Sequence, residues 1–72
     1  MDSLKLEFAR RDKGRSREDM AHVIGKSVNG YNKKERGEVA FSDEEKIAVA
    51  KDLNLSLEQV NEIFFDGKLP NW

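Results

Sequence analysis

The segment GKSVNGYNKKERG, residues 25–37, carries the side chains of this sequence best suited to contact DNA. The amide of an asparagine, here Asn29 or Asn32, can bond adenine through two hydrogen bonds. Cationic side chains in the same segment are attracted to phosphate. Gly30 stands at its centre, and glycine costs about 1 kcal/mol relative to alanine inside a helix. The pattern therefore predicts a groove-binding helix that either bends at Gly30 or is approached there by another backbone.

The sequence offers no pattern typical of catalysis or metal binding. It has no cysteine and one histidine, His22, which we expect on the surface of a short helix. No nucleophile has a base at a plausible spacing, and no glycine-rich phosphate loop follows a strand. The acidic run SDEEK, residues 42–46, is explained as a helix start, where carboxylates interact favourably with the helix dipole. We expect neither an enzyme, a cofactor nor a metal ion.

Length and charge indicate one small domain with an uneven surface. At 72 residues the chain is near the size at which one core gives marginal stability, which favours helices with local contacts. Residues 1–36 hold ten Lys and Arg against six Asp and Glu, and residues 37–72 hold three against eight. The halves therefore carry +4 and −5, so one face could meet phosphates. An ordinary solvated surface explains the same asymmetry equally well.

No signal peptide or membrane span is expected. The first residues, MDSLKLEFARRDKG, lack a basic and then apolar run, and no stretch approaches the roughly 20 apolar residues of a membrane span. Since the chain also has no cysteine, the sequence favours a soluble protein of a reducing cytoplasm.

Start and stop signals divide the chain into five short helices. A serine that can cap a helix precedes each one, and glycines end most of them. The expected helices run from Ser3 to about Lys13, from Ser16 to Gly25, from Ser27 to Arg36, from Ser42 to about Asn54, and from Ser56 to before Gly67. The link between the second and third is only about three residues long. The predicted fold is all-α, a single domain over residues 1–72 with a short C-terminal tail, residues 66–72.

Apolar residues at helical spacing define the expected core. In the first helix, the apolar side is expected to comprise Leu4, Leu6, Phe8 and Ala9. Eight residues of the later helices are predicted to be buried together: Met20, Ile24, Tyr31, Ile47, Ala50, Leu53, Val60 and Ile63.

Two short helices joined by a tight turn, with one helix before and two after, form a helix-turn-helix arrangement. The stretch RRDKGRSREDMAHVIGKSVNGYNKKERG resembles the core of the Cro/repressor-type helix-turn-helix family, and DLNLSLEQVNEIFF resembles its last two helices. The resemblance covers about residues 4–65. The tail NEIFFDGKLP is similar to small regulators of temperate phages of Gram-positive bacteria that modulate repression. The resemblance implies a five-helix, lambda-repressor-like domain with its helix-turn-helix motif at about residues 16–36.

The resemblance also implies a set of contact residues. The family's contact residue of the second helix falls on Arg17, which would grip phosphate. The recognition-helix contacts fall on Ser27, Val28, Asn29 and Asn32, with Lys26 and Lys33 near the DNA backbone. Val28 could touch a thymine methyl group. The alternative is that these are polar residues on a solvated helix face.

Three residues depart from the family pattern and are expected to weaken the motif as a DNA reader: Gly30, Arg15 and Lys34. Arg15 and Lys34 stand where the family commonly has apolar residues, so we expect their stems to cover the core while their charges extend into water. Arg10 and Glu35 match the positions of a structural ion pair in the family.

Two functions are open on this fold. One is a Cro-like operator binder, a symmetric dimer that places two recognition helices in successive major grooves about 34 Å apart. The other, implied by the resemblance to modulators of repression, is an antirepressor that docks against the DNA-binding domain of a phage repressor. Glu18 and Asp19 could stand in for phosphates before the repressor's basic reading helix. Apolar contact is expected from Val28, Tyr31, Leu69 and Trp72. We expect the antirepressor, with a phage repressor as partner and only weak binding of operator DNA by the protein alone.

Overall fold

The computed structural model describes residues 1–69. The predicted tail comprises residues 66–72, and its last three residues, which include Trp72, lie outside the described part. The described residues form five helices and no strand: α1 (Ser3–Asp12), α2 (Arg17–Ile24), α3 (Val28–Glu35), α4 (Asp43–Asp52) and α5 (Leu57–Phe64). The predicted all-α, five-helix fold is confirmed. In this part of the chain, no helix is long and apolar enough to cross a membrane.

Side-chain caps set the starts of the helices. The four serines predicted to precede α2 to α5 each accept a hydrogen bond from the backbone three residues later: Ser16, Ser27, Ser42 and Ser56. The expected cap at Ser3 is wrong. Asp2 has the extended backbone of a cap, and its Oδ1 accepts from the Lys5 amide at 3.0 Å, so Ser3 becomes the first helical residue.

The core lies where α2 packs on α3 and α4, and α1 packs on α5 and α3. Its buried apolar side chains are Leu6, Met20, Ala21, Tyr31, Phe41, Val49, Leu53, Ile63 and Phe64. Phe41 stands edge-on to Tyr31 and to Phe64, with ring centres 6.2 and 5.6 Å apart. Such pairs add to the stabilisation that comes from burial alone. Phe41 therefore joins the motif to the end of α5.

The core prediction is correct for half of the eight residues of the later helices. Met20, Tyr31, Leu53 and Ile63 are buried. Ile24 and Val60 are partly buried and pack against the core, and Ala50 is also partly buried. The prediction that Ile47 is buried is wrong, because its side chain is 56% exposed. The inward face of α4 is formed by Glu45, Val49 and Leu53, which are spaced four residues apart. Ile47 lies midway between the first two of these and therefore points to the other side of the helix.

In α1 the inward face is also narrower than the sequence indicated. Leu6 and Arg10, one turn apart, are buried, and Ala9 packs beside them. Leu4 and Phe8 form a second stripe on the other side of the helix and are 59% and 56% exposed. Their expected place on the buried side is therefore wrong.

Candidate functional site

The turn between α2 and α3 is held by a glycine and a capping serine. Gly25 ends α2 with a left-handed backbone, φ 70°, which glycine adopts without steric cost. Ser27 Oγ then accepts a hydrogen bond from the Gly30 amide at 3.0 Å and begins α3. At the start of α2, the Asp19 amide donates to Ser16 Oγ at 3.0 Å, and the Ser16 amide donates to Asp19 Oδ2 at 2.9 Å. Both helix starts are therefore fixed by local hydrogen bonds.

Gly30 does not interrupt α3. The helix runs from Val28 to Glu35, and Gly30 is its third residue. A Cβ atom at this position would lie 3.2 Å from Ser27 Oγ and 3.7 Å from Lys26 Cβ, with no backbone from another element close by. The expectation of a broken helix or a close backbone approach is wrong. Because Gly30 lies in the first turn, its amide is held by the capping serine.

The outer surface of α3 presents most of the predicted contact residues. Four consecutive exposed residues lead into and begin the helix, and a fifth follows one turn later: Lys26, Ser27, Val28, Asn29 and Lys33. Val28 is 36% exposed, whereas Tyr31 is fully buried. The structure therefore places an amide and two cations on one exposed stretch, which is chemistry suited to bases, phosphates or a polar protein surface.

Asn32 differs from Asn29 in its exposure. It is partly buried, and its Oδ1 atom is enclosed without a hydrogen-bond partner among the described residues. An adenine contact needs both the oxygen and the nitrogen of the amide at the surface. Asn32 can make that contact only after its side chain rotates, and a buried oxygen without a partner favours such a rotation.

Arg17 is tied to the core of the motif. Its Nε donates to Glu35 Oε2 at 3.2 Å, while 45% of the side chain is exposed. Glu35 also accepts from Arg10 Nε at 2.8 Å and from the Tyr31 hydroxyl at 3.0 Å. Burial, together with the negative charge of Glu35, raises the pKa of Tyr31, so its hydroxyl remains a donor.

The expected structural pair of Arg10 and Glu35 is confirmed, since both residues are buried. Sequence reasoning missed the further link from Glu35 to Arg17. The two residues are 18 positions apart on different helices, so no local spacing signals their contact. The negative charge of Glu35 offsets part of the positive potential around Arg17, so Arg17 should attract phosphate less strongly than an arginine without that contact.

Glu18 and Asp19 follow Arg17 and differ in what their carboxylates do. Hydrogen bonds from the Ser16 amide and then the Ser16 hydroxyl lower the pKa of Asp19, and the charge of Arg15 adds to this. The Asp19 carboxylate is therefore used to cap α2. Glu18 is exposed and forms no hydrogen bond or ion pair within residues 1–69. It is the acid at this end of α2 that is available to a partner.

Arg15 and Lys34 bind carboxylates of α4. Arg15 donates to both oxygens of Asp52 at 2.9 and 3.0 Å. Lys34 Nζ donates to Glu45 Oε1 at 2.8 Å and to the Ala40 carbonyl at 3.1 Å. Both residues therefore attach the motif to α4. The expectation that their charges extend into water is wrong for Lys34, whose side chain is 13% exposed, and holds in part for Arg15, whose side chain is 36% exposed.

His22 is exposed on α2. Within residues 1–69 no cluster of three or more His, Cys, Asp or Glu could hold a metal ion.

Residues 6–60 match the sequence model of a protein family described as helix-turn-helix. The matched range begins within α1 and ends within α5, so it includes α2, α3 and α4 whole and part of the other two helices. Comparisons with curated proteins and with solved structures give no significant match.

Proposed function

Because the chain belongs to the helix-turn-helix family, we propose that it is a regulator of transcription that acts as a temperate-phage antirepressor. In this proposal it modulates repression by binding the DNA-binding domain of a phage repressor. The observation that carries the proposal is the exposed Glu18 at the start of α2. In a helix-turn-helix motif the first helix crosses the DNA backbone, so a carboxylate at this position would face phosphate and be repelled.

The backbone donors at the start of α2 add to this argument. A helix N-terminus attracts anions when its amides are available. Here two of these amides, those of Ser16 and Asp19, are already bonded to side chains of the capping box, so fewer remain for an anion. Glu18 adds a negative charge beside them. The cations and amide donors of a repressor's reading surface would complement this end of α2 better than phosphate would.

The rest of the proposed contact surface is mostly polar. Asn29 and Lys33 are exposed on α3 and would form hydrogen bonds at the edge of the contact surface. Val28 is the apolar residue that α3 offers. The expected contribution of Tyr31 is wrong, because its side chain has no exposed surface. Leu69 is partly buried and would contribute less than an exposed leucine.

Binding of this kind would regulate by competition. A protein that covers the reading helix of a repressor excludes the phosphates and bases that the helix would otherwise contact. The heterocomplex would either release the operator or bind it in a different arrangement, and the sign of regulation follows from which of these occurs.

A Cro-like operator binder is the second candidate. The observation that favours it is the uninterrupted α3 with Asn29 and Lys33 exposed on its surface. An asparagine on such a helix can read adenine, and a lysine can bind phosphate.

The experiment that separates the two is co-purification with the phage repressor proposed as its partner, followed by operator gel shifts. We expect a stable complex of the two proteins, a changed or lost shift when both are present, and no specific shift by this protein alone. A specific operator shift by this protein alone, without a complex with the repressor, would establish the Cro-like function instead.

A further inference from the structure

An apolar edge of α4 is left uncovered by the fold. Ile47, predicted to be buried, is 56% exposed and lines a groove of about 700 Å³ between α4 and α5. The other apolar lining residues are Ala50, Leu55, Val60 and Phe65. Charged residues stand along α4 on the same groove: Asp43, Lys46 and Lys51. No lining residue belongs to α2 or α3, so this surface is separate from the proposed repressor-binding surface.

We propose that this face of α4 binds the same face of a second copy of this chain. A two-fold interface needs a surface that complements itself. Asp43 lies four residues before Ile47 and Lys51 lies four residues after it, which is about one helical turn in each direction. When two α4 helices cross antiparallel at Ile47, Asp43 of each copy meets Lys51 of the other.

The two charged residues are available for such contacts. The Asp43 side chain is 97% exposed, and its ion-pair contact within residues 1–69 is to Lys46 Nζ at 4.0 Å. Lys46 Nζ also lies 4.8 Å from the centre of the Phe65 ring, which draws it toward the wall of the groove. Lys51 is exposed and forms no ion pair in the described part of the chain.

Packing at the crossing point is also favourable. Ala50 is small and lets the second helix approach closely, and Ile47 of each copy would lie along the groove of the other. One helix face buries less than the roughly 800 Å² per partner of a stable complex. The dimer is therefore expected to be weak and to dissociate on dilution.

The first test is sedimentation equilibrium of the full chain from micromolar to millimolar concentration. We expect the apparent mass to rise toward twice that of one chain. Ile47→Glu should weaken self-association by about tenfold or more, because it places two carboxylates at the crossing point. Leu57→Glu is the matched control, since Leu57 is 61% exposed but does not line the groove, and it should associate as the parent does.

The second test uses the symmetry of the charges. Asp43→Lys gives a chain with lysine at both ends of the crossing, and Lys51→Asp gives a chain with aspartate at both ends. Each variant alone should self-associate about tenfold more weakly or worse, since one substitution mispairs two contacts. An equimolar mixture of the two should associate again, because every lysine then meets an aspartate.

The proposal is overturned by a protein that stays monomeric at millimolar concentration, or by a mixture that associates no better than its components. It is also overturned if Ile47→Glu leaves self-association unchanged but abolishes binding to the repressor, since the groove would then belong to the partner. Folding of each variant is checked by its helical circular dichroism and its unfolding midpoint.

Discussion

At the scale of single residues, Gly30 occupies a position that other helices of the chain fill with larger side chains. It is the third residue of α3, as Asp19, Glu45 and Gln59 are of α2, α4 and α5. Those three carry a Cβ atom beside a capping serine. The 3.2 Å separation between a Cβ at Gly30 and Ser27 Oγ should therefore be relieved by a small side-chain shift.

We accordingly expect Gly30→Ala to raise the free energy of unfolding by roughly 0.5–1 kcal/mol, because alanine restricts the unfolded chain more than glycine does. Urea denaturation measures the difference. A loss of stability would show that the cap at Ser27 cannot accommodate a Cβ atom, as would a fall in α3 helicity.

The carboxylate of Glu35 accepts several hydrogen bonds inside the motif. It accepts from Arg10 Nε, Arg17 Nε and the Tyr31 hydroxyl. Glu35→Ala leaves the buried Arg10 without its anion, which should cost about 3–5 kcal/mol. Tyr31→Phe removes one donor to a charged group and should cost about 1–2 kcal/mol. Chemical denaturation checks both, and equal effects of the two variants would contradict this account.

At the scale of elements, α3 is joined to α4 by the pair of Lys34 and Glu45. Burial raises the pKa of Glu45, but hydrogen bonds from Lys34 and from the Ser42 amide lower it by more, so the net shift is downward. A carboxyl with a folded pKa below its unfolded value of about 4.5 stabilises the fold above that pH. This stabilisation is lost as the pH falls through the folded pKa.

Glu45→Gln tests that contribution without removing the helix cap, because Gln59 forms the same capping box in α5. Near neutral pH the variant should be less stable than the parent by about 1–2 kcal/mol. The difference should shrink as both are acidified, since protonated Glu45 also lacks the charge. Denaturation curves from neutral to acidic pH measure it, and a pH-independent difference would refute the assignment.

Helix positions could be predicted from the sequence, but the inward face of α4 could not. A capping serine acts within three residues, so the starts at Ser42 and Ser56 follow from local sequence. In α4, Ile47 and Val49 are equally apolar, and which of them faces inward depends on contacts with other helices. The buried face includes the acid Glu45, whose partner is Lys34 on α3. Hydrophobicity therefore selects the wrong face.

In the candidate site, too, some features could be predicted from the sequence and others could not. The exposure of Asn29 and Lys33 follows from the register of α3, in which Tyr31 and Glu35 point inward. The enclosure of the Asn32 amide oxygen without a hydrogen-bond partner is instead a property of the packed fold, and the spacing of residues along α3 does not predict it.

At the scale of the whole molecule, the charge asymmetry of the sequence is reduced by folding. Arg15 and Lys34 from the basic half bind Asp52 and Glu45 from the acidic half. This leaves Arg17, Lys26 and Lys33 as the cations on the motif's predicted contact surface, and the first of these shares Glu35. Long-range attraction to DNA is correspondingly small.

We therefore expect the protein alone to bind operator duplex more weakly than the roughly 10⁻⁸ M usual for specific sites at physiological salt. The dependence of log affinity on log salt should have a slope of about −3, as three phosphate contacts require. Fluorescence anisotropy over a range of salt concentrations measures both quantities. Nanomolar binding with a steep salt dependence would mean that the motif reads DNA by itself.

The measurement that tests the antirepressor function most directly is binding of the repressor's DNA-binding domain to a matched pair of charge reversals. Glu18 and Glu58 are each the exposed second residue of a serine-capped helix. The variants Glu18→Lys and Glu58→Lys therefore make the same change of charge at the same position of a helix. Asp19 is left intact because it caps α2.

Binding is followed by titration calorimetry and by stopped-flow association at low and at physiological salt. We predict that Glu18→Lys slows association and weakens the complex by about tenfold or more, most strongly at low salt, while Glu58→Lys binds as the parent does. If Glu18→Lys binds the repressor unchanged, and Asn29→Ala instead abolishes an operator complex of this protein alone, the antirepressor account is contradicted and the Cro-like function stands.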